Sequence, residues 1–188
     1  MDSVQLRYAL INSVNVSTTV CAKNQLSEIN SSEFAIICNN QSSDERGMHW
    51  LAFYKDKEGL EFFDSFGMDL QFYGVEFVKF ASKHGKTVKK STDQYQSNNS
   101  NLCGGYCLYF LIQRNNGLLY ESIINTFSLN NTKLNDFTVK KFVCTNFIFP
   151  KFSKCGISCN GKCSKSFNSY CFQKNNHCQR VSQDLISE

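Results

Sequence analysis

The sequence predicts an α+β domain, from three observations. Short aromatic-rich runs separated by turn residues lie between positions 34 and 63. A segment beginning at Leu102 is apolar almost all round and opens on Cys103-Gly104-Gly105. The composition then changes just after Pro150, where cysteines crowd together. The first pattern is that of antiparallel strands, the second that of a buried central helix, and the third marks a boundary. The organisation expected is a folded domain over 1–150 and a basic, cysteine-rich tail over 151–188.

Taken in order, residues 3 to 12 suit a short amphipathic helix, with Val4, Leu6, Tyr8 and Ile11 partly on one side. Phe34-Ala35-Ile36-Ile37-Cys38 is a continuous apolar run, the pattern of a strand buried on both faces. A polar loop, Asn39 to Gly47, leads to a second strand over Met48 to Tyr54. A third runs from Leu60 to Phe63, and the charged, glycine-ended stretch Lys55 to Gly59 makes a hairpin connection between them. Residues 69 to 82 read as one helix, weakened at Gly74, and Thr87 to Lys90 as a further strand. The helix from Leu102 is closed by Arg114-Asn115-Asn116-Gly117, a terminal cation followed by an Asn/Gly stop. Two more helices, Leu118 to Phe127 and Asp136 to Phe147, flank the turn Asn130-Asn131-Thr132.

With 188 residues the chain is long enough for one domain with a real core, and 17 Phe and 8 Tyr supply the anchors. A net charge of +4 is mild, and lysines such as Lys83, Lys86, Lys89 and Lys90 read as solvated surface; nucleic acid nearby is compatible with it but not required. No stretch approaches the ~20 apolar residues of a membrane span, and no membrane association is expected. The charged N-terminus, with Asp2 and Arg7, lacks the apolar centre of a secretory signal. An intracellular chain with reduced cysteines is therefore expected.

Four residue types in one chain order carry the chemistry. His49 sits in Met48-His49-Trp50, Asp64 in Phe63-Asp64-Ser65-Phe66-Gly67, and Gln96 lies shortly before Cys103-Gly104-Gly105. A thiol becomes a good nucleophile when ionised, and a helix N-terminus and a neighbouring imidazole both favour the thiolate. An acid fixes the tautomer of the imidazole, and an amide donates to the oxyanion of an attacked carbonyl. His49 near the start of one strand and Asp64 at the end of its antiparallel neighbour can lie side by side. Gly104 and Gly105 weaken a helix start, which suggests close approach of another backbone, with substrate the obvious candidate. Each residue also has a plainer reading. Cys103 alone would pass for a structural cysteine like Cys107, His49 for a core histidine, and Asp64 for a turn cap. Gln94 competes with Gln96. His84 reads as a solvated side chain and His177 as part of the tail.

These segments resemble the adenovirus protease (adenain) family and its relatives in Polinton-type DNA transposons. The match runs from about Val20 to Phe142, through Gly47 to Phe53, Phe63 to Gly67, and Gln96 with Asn101 to Cys107. The chain order His, acid, Gln, Cys is theirs, with Glu in adenain where this chain has Asp64, and is the reverse of papain's. The resemblance implies a mixed sheet packed on a central helix that carries the nucleophile. It makes His49 the base, Asp64 the orienting acid, Cys103 the nucleophile, and Gln96 with the Cys103 backbone N–H the oxyanion donors. It implies a cysteine endopeptidase that cleaves capsid precursor proteins during particle maturation, typically next to glycine. Such an enzyme needs no cofactor for its chemistry and would act as a monomer in the host nucleus or virion. An activating peptide or DNA is the family's other implied partner. The chain has no cysteine between Cys38 and Cys103, which argues against covalent peptide activation.

Two other readings use the same residues. A protease for ubiquitin-like modifiers shares the His, acid, Gln, Cys order. A non-catalytic module would use the basic tail, where Cys155, Cys159, Cys163, Cys171, His177 and Cys178 offer zinc ligand types without the usual Cys-x-x-Cys pairs. Disulfides or a disordered tail are the competing accounts of those cysteines.

Overall fold

The structure, a computed structural model, describes residues 1–148 and the backbone of three short strands in the tail. Two compact units result, Met1–Phe147 and Ile148–Glu188. In the first, a five-stranded sheet of order β1-β2-β3-β4-β5 is built from Ser17–Ala22, Phe34–Asn39, Trp50–Asp56, Gly59–Phe63 and Val88–Lys90. The three central strands form the expected antiparallel meander, while β1 and β5 pair in parallel at the edges. The fold is α+β with a mixed sheet. In the second unit, β6 (Ser153–Lys154), β7 (Tyr170–Lys174) and β8 (His177–Arg180) form a small antiparallel sheet. The side chains proposed as zinc ligands lie outside the described residues.

All six residues of β2 are buried, as a continuous apolar run in a central strand requires. One face of the sheet, through Phe34, Phe53 and Phe62, packs on Phe77 and Phe80 of α3 (Val75–His84). Phe63 points the other way, with its ring stacked on Phe110 of α4 (Cys103–Asn115) at 4.8 Å and 8°. The central helix α4 is buried along most of its length and packs on β3, α1 (Ser3–Ile11), α5 (Tyr120–Ile124) and α6 (Thr132–Asn146).

Several expectations are corrected. The helix over 69–82 is two, α2 (Leu70–Tyr73) and α3, because Gly74 adopts φ +116°, a conformation that interrupts the helical path. Strand β1 and the 3₁₀ turn Lys23–Glu28 went unforeseen; the half-exposed Ser-Thr-Thr edge carries no strong periodic signal. α1 buries Leu6, Ala9 and Leu10, leaving Ile11 exposed. Its start is fixed by Asp2, whose carboxylate accepts from the Gln5 backbone N–H at 2.8 Å while the Gln5 side chain accepts from Asp2 N. α6 starts earlier than predicted because Asn131 caps it, accepting from Leu134 N. His84 is buried rather than solvated: it packs against Phe34 and Phe80, contacts the Ile29 carbonyl, and burial lowers its pKa.

Arg114 does more than end α4. Its Nε donates to buried Glu61 at 2.6 Å, its Nη2 to Asp56 at 3.1 Å, and its Nη1 to the Leu118 carbonyl. The guanidinium also lies over the Tyr54 ring at 4.9 Å. The C-terminal end of α4 is thereby tied to the β3–β4 hairpin. Burial raises the Glu61 pKa, with the Arg114 charge opposing it. Removing one partner of such a pair strands a buried charge. Arg114→Ala is expected to lower unfolding free energy by about 3–5 kcal/mol in urea titrations. A loss under about 1 kcal/mol would show that the network is incidental.

Candidate active site

The hairpin brings the first two site residues together. Ala52 pairs with Phe63, so His49, just before β3, comes alongside Asp64, just after β4. His49 Nε2 lies 2.7 Å from Asp64 Oδ1, and both residues are buried. The backbone of His49 is clamped by Asn40, whose Oδ1 accepts from His49 N and whose N donates to His49 O, each at 3.0 Å. Phe66 and Tyr73 flank the ring at centroid distances of 5.0 and 5.8 Å.

Asp64 is 2% exposed, and its carboxylate is saturated. Oδ1 also accepts from Phe66 N at 3.0 Å; Oδ2 accepts from Met68 N at 2.8 Å and from the Tyr73 hydroxyl at 2.7 Å. A buried carboxylate needs this many donors to remain charged. The turn that supplies them depends on Gly67, whose φ is +70° and where a Cβ would come within 2.6 Å of the Asp93 carbonyl oxygen. Tyr73 and Asn40 were not singled out by the sequence, because their partnerships run between separate elements.

Cys103 occupies the first turn of α4, and the His49 side chain is the group that most favours ionisation of its thiol. With Nε2 on Asp64, Nδ1 is the ring atom left for the sulfur. Burial pushes the Cys103 pKa up. The hydrogen bond and charge of His49 outweigh it, helped by the backbone N–H groups of Trp50 and Gly104, and the net shift is downward. Burial likewise disfavours a charged His49. Its bonds with Asp64 and Cys103 prevail, and its pKa rises to about 9. Cys107, one turn along, is fully buried and its thiol is pushed up by burial. The two cysteines of one helix are therefore shifted in opposite directions.

Gln96 is 1% exposed in the loop before α4. Its Nε2 donates to the Ser100 carbonyl and its Oε1 accepts from Ser65 Oγ, both at 2.7 Å. Because a carbonyl oxygen only accepts, this pairing fixes which end of the amide is the donor. The Tyr95 and Gln96 N–H groups both donate to Ser65 O. Gln96 is thus fastened to the residue that follows Asp64. Gln94 is exposed, donating through its side chain to Gln96 O and Asn98.

Gly104 and Gly105 have a different reason from the one expected. A Cβ on Gly104 would come within 3.1 Å of Leu6 and 3.3 Å of Trp50, and one on Gly105 within 3.2 Å of Val139. Both glycines are buried. They let α1, β3 and α6 close on the helix, and the close approach comes from this chain's own side chains, not from a substrate backbone.

A thiol paired with a histidine–aspartate couple at the start of a buried helix defines the thiol-hydrolase class of site. Residues 25–146 match the adenovirus endoprotease family, and the chain belongs to it. No curated protein matches the chain in sequence. Among solved structures it is similar to the ASFV pS273R protease. One crystal structure of that protein, in its selenomethionine form, is 22% identical, over 59% of this chain and 44% of that one, with a TM-score of 0.38. A second is 15% identical, over 73% of this chain and 63% of that one, with a TM-score of 0.44. The chain thus spans 44% to 63% of that protein's length. Among the described residues no group of three or more His, Cys, Asp and Glu is arranged to hold a metal, and no helix is long and apolar enough to cross a membrane.

The charge states have a pH signature. The thiolate is present above the lowered pKa of Cys103, and the imidazolium persists until pH rises through about 9. Iodoacetamide at pH 6 is expected to label Cys103 faster than any other cysteine. Above pH 9 labelling should remain fast while peptide cleavage declines, since the proton on His49 is lost. A Cys103 that labels no faster than Cys21 at pH 6 would contradict the ion pair.

Proposed function

We propose that this chain is a cysteine-type endopeptidase acting on structural precursor proteins of a DNA virus or Polinton-type element. The observation that carries the reading is the buried run Asp64–His49–Cys103, in which the 2.7 Å carboxylate contact leaves one ring nitrogen for the sulfur.

In this mechanism the Cys103 thiolate attacks the scissile carbonyl carbon and forms a C–S bond. The carbonyl oxygen becomes an oxyanion, with the Gln96 amide and the Cys103 backbone N–H as its donors. His49, already protonated, transfers its proton to the departing amine nitrogen as the C–N bond breaks. The neutral ring then takes a proton from water, which attacks the thioester and releases the carboxylic acid product and the thiolate. Asp64 orients the ring throughout. Family membership supports the protein substrates. Capsid precursors, and cleavage beside glycine in an extended segment, are the substrate class we assign. Cleavage would then take place where particles assemble, in the host nucleus or virion.

Cys103→Ala and His49→Ala are each expected to abolish cleavage, while Asp64→Asn and Gln96→Ala lower kcat/KM by ~10²–10³. Assays should pair a glycine-containing capsid-precursor peptide with a ubiquitin-like fusion protein. Faster cleavage of the fusion would transfer the assignment to the modifier-specific class. Full activity in Cys103→Ala would end the peptidase reading altogether.

A further inference from the structure

The loop from Ser91 to Leu102 carries Gln96 but has no regular secondary structure of its own. An oxyanion donor must nevertheless be placed to within a fraction of an ångström, so something outside the loop has to hold it. Ser65 holds one side, as described above. The other side is held by α6.

The Ser97 hydroxyl donates to Asp136 Oδ2. The Tyr106 hydroxyl faces two acceptors, Asp136 Oδ1 at 2.9 Å and the Tyr95 carbonyl at 3.1 Å. Asn135 Nδ2 donates to the same Tyr95 carbonyl at 3.0 Å, while its Oδ1 accepts from Ser128 N at 2.8 Å. The residues immediately before and after Gln96 are therefore both seized by neighbouring side chains of α6. Tyr106 lies one turn beyond Cys103 on α4, so the same network touches the nucleophile's own helix. Asn135 and Tyr106 are buried, and burial followed by the Asp136 contact pushes the Tyr106 pKa well up, which keeps its hydroxyl a donor.

We propose that Asp136 is a positioning residue for the Gln96 amide, clamping the loop through Ser97 and Tyr106 so that α6 sets where the oxyanion donor stands relative to Cys103. This rests on the peptidase reading above. Asp136 itself touches no reacting atom; it acts through Gln96. Its carboxylate is suited to the task because each oxygen takes one hydroxyl, one from the loop and one from the nucleophile helix. An alanine there releases both at once. A thiolate is made by His49 and backbone amides, so the same change leaves the sulfur's ionisation alone.

The test is a double-mutant cycle with Gln96→Ala, scored by kcat on a cleavable peptide. Asp136→Ala is expected to lower kcat about 10- to 100-fold with KM changed less than about threefold, the scale of a small misplacement of a donor. In the Gln96→Ala background the same substitution should cost less than about twofold. Labelling of Cys103 by iodoacetamide at pH 6 should match wild type. Ser97→Ala removes a single bond and serves if Asp136→Ala does not fold; its expected loss is about 3- to 10-fold, again confined to the chain that retains Gln96. Losses that multiply in the double variant, or a folded Asp136→Ala with wild-type kcat, overturn the proposal. If the wild-type chain shows no turnover, the peptidase reading has failed. The clamp is then judged by hydrogen exchange at Tyr95 and Gln96 N–H, which must accelerate in Asp136→Ala for it to stand and overturns it if unchanged.

Discussion

A sulfur anion and a protonated imidazole can share a buried site only if the surroundings compensate both charges, and here that compensation begins at Asp64. Its carboxylate has no exposure to spare and takes four hydrogen bonds, one of them from His49 at 2.7 Å. Without it, burial would lower the pKa of the ring and remove part of what lowers that of the thiol. The turn through Gly67, the Tyr73 hydroxyl from α2 and the β3–β4 pairing all converge on that one side chain. The sheet is, in this sense, a frame for an acid.

The frame is closed from the other direction by α4. Its N-terminus supplies the Gly104 N–H to the sulfur, beside that of Trp50 from β3, and its C-terminus is locked to the hairpin by Arg114, Glu61 and Asp56. The same helix therefore meets the β3–β4 unit at both ends, once through reactive groups and once through a buried ion pair. Gly104 and Gly105 allow the close contacts between: Leu6, Trp50 and Val139 sit where side chains would otherwise stand.

Much of this was legible in the residues. The apolar run of β2, the hairpin turn and the all-round apolar helix are local signals, and each appears where expected. The positions of His49 and Asp64 followed from antiparallel pairing across a short turn. What stayed hidden depends on contacts between distant segments. Nothing near Arg114 announces a buried partner 53 positions upstream, nor does anything near Tyr73 announce a carboxylate on another element. The glycines after Cys103 mislead for the same reason: their neighbours come from α1, β3 and α6. Gln96 and Gln94 are alike as letters in a polar loop. Only folding separates a buried amide fixed at both ends from an exposed one.

The protonation state of His49 tests the account most directly. Nitrogen chemical shifts of the His49 ring, recorded across pH 5 to 10 in the full chain, should show both ring nitrogens protonated at pH 7.5, with the proton lost near pH 9. A ring that is neutral at pH 7.5 and titrates near the ordinary value of about 6.5 would contradict it.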